Sequence, residues 1–270
     1  MTMTITTITT TTMAEIMAAN AGLGKFYAVG VGPGDPELMT LKAARVLSEA
    51  DAIFTPLGTG GRPGIARDIV GLLGLPAGKF REVALPMSRD RDAVGGAYRD
   101  AVAEIARELE GSRTAAWITE GDPLFYGTSL HILEELHRLL PGVRTEVVPG
   151  VTSMSAAAAR VGLELARLDD GLLVIPAAYG LDRLPTSLDE FATVCLLKVN
   201  TVFDRLLDRL RSIPRPFHAV YVERVGMPGE RVVTDLDSLR GQELPYFSMV
   251  LLRRRPDGST AGERKGPNHE

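Results

Sequence analysis

Apolar positions along the chain fall into short runs separated by glycine, proline and polar clusters. Phe26-Tyr27-Ala28-Val29-Gly30-Val31 is a continuous apolar run ending in glycines and predicts a buried strand. Past a turn, Met39, Ala43, Val46, Leu47 and Ala50 recur at helical spacing, with Asp35 as the expected N-cap and Pro36 at the first helical position. Ala52-Ile53-Phe54 predicts a second strand, residues 65–73 a short helical stretch, and Val83-Ala84-Leu85 a third strand. Tyr98, Ala101, Val102, Ile105, Ala106 and Leu109 mark the clearest helix. A strand at 115–119, a helix at 129–140 and a strand at 145–148 follow. Such regular alternation predicts a parallel α/β sheet.

Beyond Pro149-Gly150 the pattern changes. An alanine-rich helical segment, 153–161, precedes strand-like runs at 172–175, 194–197, 219–222 and 247–252. One further strong helix is predicted among them, with Phe203, Leu206, Leu207 and Leu210 inward. This half reads as strand-rich α/β. The expected organisation is an N-terminal α/β domain at 25–148 and a C-terminal α/β domain at 149–254. A threonine-rich extension, 1–24, and a polar tail, 255–270, are expected to be disordered or flexible.

Composition narrows the classes. The 270 residues are 45% hydrophobic and 24% charged, enough to bury a core. A net charge of −4 gives no chain-wide footprint for nucleic acid or an anionic membrane, so neither is an expected partner. Arg253-Arg254-Arg255 at a strand end reads as a solvated edge. The lone Cys195 has no partner for an internal disulfide, and no Cys and His spacing resembles a metal site. No apolar run is long enough for a membrane helix, and the N-terminus lacks the basic and apolar regions of a secretory signal. A cytoplasmic location is expected.

Three loops carry the candidate chemistry, each between a predicted strand and helix. The first is Gly30-Val31-Gly32-Pro33-Gly34-Asp35-Pro36, where glycines let a ligand approach the backbone. Its G-x-G-x-G spacing is not the dinucleotide fingerprint, and a tight capped turn explains it equally well. The second runs from Thr119-Glu120-Gly121-Asp122-Pro123 through Phe125 to Ser129; the third is Pro149-Gly150-Val151-Thr152-Ser153. In a parallel sheet such loops emerge at the carboxyl ends of the strands, where ligands bind. For Asp122 turn-capping competes with ligand contact, and for Thr152 and Ser153 helix capping does.

The motifs Val29-Gly30-Val31-Gly32-Pro33-Gly34-Asp35-Pro36-Glu37-Leu38-Met39-Thr40, Gly121-Asp122-Pro123 and Pro149-Gly150-Val151-Thr152-Ser153 together resemble the tetrapyrrole methylases. These are S-adenosylmethionine-dependent enzymes of corrinoid and sirohaem synthesis. Pro86-Met87-Ser88-Arg89-Asp90 and the segment from Glu120 to Thr128 resemble the branch that methylates C20 of precorrin-2 or of its cobalt complex. The resemblance implies a two-domain α/β fold with the cofactor in a cleft between the domains, and a homodimer. The implied activity is precorrin-2 C20-methylation to precorrin-3A in cobalamin biosynthesis, with the cobalt-precorrin-2 reaction of the early-cobalt route, or another methyltransferase of the same fold, as the alternative. Implied cofactor contacts are Pro33, Glu120, Gly121, Asp122, Phe125, Thr152 and Ser153. Leu197 and Val225 follow in second rank, together with neighbouring Lys198 and Arg224.

Methyl transfer from a sulfonium is an in-line displacement that needs alignment and no covalent enzyme intermediate. Consistent with that, no nucleophile paired with a base stands out, and Cys195 reads as a packed thiol. The implied substrate bears many carboxylates, so Arg62, Arg89 and Arg91, on predicted loops, are the candidate substrate contacts. Asp35, Asp90, Glu120 and water are all open as acceptors of the C20 proton, and no catalytic residue is assigned.

Overall fold

A computed structural model describes residues 22–58, 62–85, 91–213 and 216–254, without the side chains of 91–94. The described residues form two compact units: 22–32 with 36–151, and Pro33–Asp35 with 152–254.

The first unit is built on five strands, β1 Lys25–Gly30, β2 Ala52–Pro56, β3 Phe80–Val83, β4 Thr114–Thr119 and β5 Arg144–Val148. They pair in the order β3-β2-β4-β1-β5, every neighbour parallel. Its helices are α1 Leu41–Glu49, α2 Ile65–Ile69, α3 Arg91–Glu108 and α4 Ser129–Leu139. Both sheet faces are covered, which is why the strands read as unbroken apolar runs. One core joins Phe26, Phe54 and Trp117 to Ile105, Leu109, Ile132 and Leu136. The other joins Val29, Ile53 and Ile118 to Val46, Leu47 and Ile69.

Two local expectations are corrected. Asp35 does not cap α1: Pro36–Leu38 form a separate 3-10 turn, and Thr40 is the N-cap, its hydroxyl accepting from Ala43 N at 3.1 Å. The third strand starts earlier than Val83, because the ladder with β2 pairs Ile53 with Phe80.

The second unit opens with α5 Ser153–Val161, followed by β6 Leu172–Pro176, α6 Ala177–Gly180, α7 Leu184–Glu190 and β7 Thr193–Leu197. Then come α8 Phe203–Arg211, β8 Phe217–Glu223, β9 Arg231–Val233 and β10 Ser248–Arg254. The sheet order is β6-β7-β10-β8-β9, with β6 and β7 parallel and the other pairs antiparallel. Its core gathers Val194, Leu196, Phe203, Leu206, Tyr221 and Val250. The expectation of one further helix here is also corrected. Gly180 and Pro185 break the apolar period of 177–190, yet that segment still forms α6 and α7. The three-residue β9 is too short to show alternation by itself.

Candidate functional site

In the first unit the predicted loops meet because β4, β1 and β5 are adjacent and parallel, so their carboxyl ends lie side by side. Gly32 and Gly121 form an isolated antiparallel bridge in which Gly121 N donates to Gly32 O at 2.7 Å. The packing is as close as backbone allows. A Cβ on Gly30 would lie 2.4 Å from Gly121 O, and one on Gly150 would lie 2.0 Å from the same oxygen. Only glycine serves at these two positions.

Asp122 ties the second loop to the third. One carboxylate oxygen accepts from Leu124 N at 2.9 Å, closing its own turn, and the other accepts from Gly150 N at 3.0 Å. Its turn-forming role is therefore visible in the structure. Glu120 reaches sideways, Oε1 accepting from Ala66 N at 3.2 Å in the first turn of α2, where the N-cap Gly64 has no side chain to offer. Beyond Asp122 the loop turns Tyr126 into the left-handed region, φ 54°, and leaves Leu124 and Tyr126 exposed. Phe125 lies edge-on to Tyr126 with ring centroids 4.9 Å apart.

The second unit holds the remaining candidates. Pro33–Asp35 belong to it through close backbone packing: a Cβ on Gly34 would lie 2.6 Å from Val225 O, and one on Gly226 would lie 2.6 Å from Asp35 N. Gly226 N donates to Glu230 Oε2 at 2.7 Å, and the other Glu230 oxygen pairs with Arg160 of α5. Burial pushes the Glu230 carboxyl up, but the Gly226 N–H and Arg160 outweigh it and hold it below the usual carboxylate range. Thr152 is the N-cap of α5, accepting from Ser155 N, and Ser153 begins that helix. Leu197 and Val225 are buried side chains, so a ligand would meet mainly their backbone.

The chain was compared with known proteins. A profile of the Tetrapyrrole (Corrin/Porphyrin) Methylases matches residues 25–240. The chain belongs to the tetrapyrrole methylase family. Among its relatives, a precorrin-2 C(20)-methyltransferase of Sinorhizobium sp is 34% identical over 87% of this chain and 97% of that protein. A cobalt-precorrin-2 C(20)-methyltransferase of Salmonella typhimurium is 31% identical over 86% of this chain and 97% of that protein. A solved uroporphyrin-III C-methyl transferase from Thermus thermophilus, complexed with S-adenyl homocysteine, shares the fold. Its TM-score is 0.60 at 24% identity, covering 85% of this chain and 97% of that one.

Of the residues expected to serve a tetrapyrrole methylase, the first unit gathers Glu120, Gly121, Asp122 and Phe125 on one loop, with Gly121 and Asp122 bonded to the neighbouring loops. The second unit places Pro33 beside the turn containing Val225, through Gly34. Arg62 is exposed on the loop after β2. Arg89 and Asp90 lie outside the described residues, as does the side chain of Arg91, whose backbone starts α3. Cys195 is buried, and burial pushes its thiol up to about 12, as a packed thiol requires. The solvated edge expected at Arg253 is corrected: β10 lies between β7 and β8, and the Arg253 side chain is mostly buried and pairs with Asp170 at 2.6 Å. Sequence reasoning missed Glu230, whose reach to Gly226 and Arg160 has no local signal.

Proposed function

We propose that this chain is an S-adenosylmethionine-dependent methyltransferase that methylates C20 of precorrin-2 to give precorrin-3A in cobalamin biosynthesis. The observation that carries the reading is the near full-length similarity to precorrin-2 C(20)-methyltransferase. Cobalt-precorrin-2 is the second reading, favoured by the similarly extensive match to the cobalt enzyme. The reading includes a homodimer, on the family resemblance, and a reducing cytoplasm, which the lone Cys195 fits. Among the described residues no helix is long and apolar enough to cross a membrane.

The residues fit an amphipathic cofactor. Leu124 and Tyr126 offer exposed apolar surface on a loop whose left-handed Tyr126 the surrounding structure must hold in place. The first unit would offer Glu120, Gly121, Asp122 and Phe125; the second would offer Pro33, Thr152, Ser153, Leu197 and Val225. When bound, the cofactor supplies an electrophilic methyl group. The protein's part is alignment: Asp122 fixes the second loop against Gly150, and the glycine contacts remove play between adjacent strand ends. Leu124, Phe125 and Tyr126 would exclude water. Arg62, Arg89 and Arg91 are proposed to meet substrate carboxylates.

The test is a paired anaerobic turnover with S-adenosylmethionine, offering metal-free precorrin-2 and cobalt-precorrin-2 and reading added methyl groups by mass. One methyl on the metal-free substrate supports the first reading and preference for the cobalt form the second. No transfer to either removes both.

A further inference from the structure

Lys198 and Arg224 occupy equivalent places in the mixed sheet. Each is the first residue past a strand that flanks β10, Lys198 after β7 and Arg224 after β8. Both are left-handed, φ 57° and 50°, a conformation that residues with a Cβ hold only where surroundings impose it. The restraint is the same in kind: Lys198 N donates to Ser248 O and Arg224 N to Phe247 O, each at 2.8 Å. Two consecutive carbonyls at the entry to β10 thus hold two basic residues at one end of the sheet. β7 and β8 are both antiparallel to β10, which leaves two strand spacings between them, roughly 10 Å from Cα to Cα.

Among the described residues no carboxylate pairs with Lys198 or Arg224, whereas Arg160, Arg209, Arg231, Arg240 and Arg253 of the same unit each have one. The Lys198 ammonium lies 5.1 Å from the centroid of the partly exposed Tyr246 ring. The Arg224 guanidinium uses the space left by Gly229, where a Cβ would come within 3.3 Å of Nη1. Strained backbone that presents unpaired charge costs stability, and function is the return.

We propose that Lys198 and Arg224 are a carboxylate-reading pair, each taking one acidic side chain of the tetrapyrrole substrate. This rests on the substrate class proposed above. Two cations without carboxylate partners suit a polycarboxylate better than the cofactor contact the family resemblance implied for Lys198 and Arg224, since the cofactor has one carboxylate and carries positive charge at its sulfonium and amine.

The test uses uroporphyrin, a stable octacarboxylate porphyrin, as the probe, with its neutral octamethyl ester as control. Fluorescence titration is run on the full chain and on Lys198→Gln, Arg224→Gln, the double variant, Lys198→Arg and the surface control Arg205→Gln. Affinity for S-adenosylhomocysteine is measured in parallel by calorimetry, which also reports folding. The expected result is about tenfold weaker uroporphyrin binding in each Gln variant and about a hundredfold in the double. Lys198→Arg, Arg205→Gln, the ester and the S-adenosylhomocysteine affinity should show no such loss. Uroporphyrin binding that survives the double variant overturns the proposal, and so does an equal loss of S-adenosylhomocysteine binding. If the wild type methylates no precorrin-2 yet the charge dependence holds, the carboxylate site stands and the enzyme assignment falls.

Discussion

At Gly150 one methyl group decides whether the loops close. Its Cβ would sit 2.0 Å from Gly121 O and 3.0 Å from the Gly30 carbonyl carbon, all main chain with little room to yield. Gly150→Ala should cost about 3 kcal/mol in urea unfolding. Gly71→Ala, with nothing within 4 Å of its Cβ, should change stability by no more than about 0.5 kcal/mol. Equal effects would contradict the packing account. The glycines were legible as turn residues, since each follows an apolar run. Their mutual contact was not, because it depends on β4, β1 and β5 being neighbours, a non-local fact. Asp122 was legible as either capping or ligand-binding, and the structure shows it capping its own turn and bracing the next loop.

Among the elements, the join of β1, α1 and β5 is electrostatic at its surface. Glu146 of β5 pairs with Lys25 of β1 and Lys42 of α1. Hydrogen bonds from Lys25 and then Lys42 hold its carboxyl down at about 2, against 4.5 unperturbed. A depressed carboxylate adds stability above its unfolded value and loses it as pH falls toward the folded one. The stability difference between wild type and Glu146→Gln should therefore be present at pH 6 and shrink from pH 4.5 downward. A difference that is constant with pH would remove this ion pair from the account. Helices and buried strands were readable from periodicity, but the start of α1 was not. Asp35 and Thr40 are both good caps, and the 3-10 turn at Pro36–Leu38 hands the role to Thr40.

For the whole molecule, the sequence pattern announces a parallel sheet followed by a strand-rich half, and the two sheets have those characters. Strand order was hidden: β10, the last strand among the described residues, inserts between β7 and β8, and no local pattern encodes such a long-range pairing. A ligand that binds only the folded chain must stabilise it. S-adenosylhomocysteine at about 100 times its dissociation constant should add about 2.7 kcal/mol and raise the unfolding temperature by about 5–10 °C. An unchanged transition would argue against a built cofactor site. The central claim is methyl transfer to one carbon of a reduced tetrapyrrole, and the measurement that reaches it most directly is NMR of the product. S-adenosylmethionine carrying a carbon-13 methyl is incubated anaerobically with precorrin-2 and the protein. The account predicts a single enriched methyl attached at C20; label at any other carbon, or no label in the pigment, would contradict it.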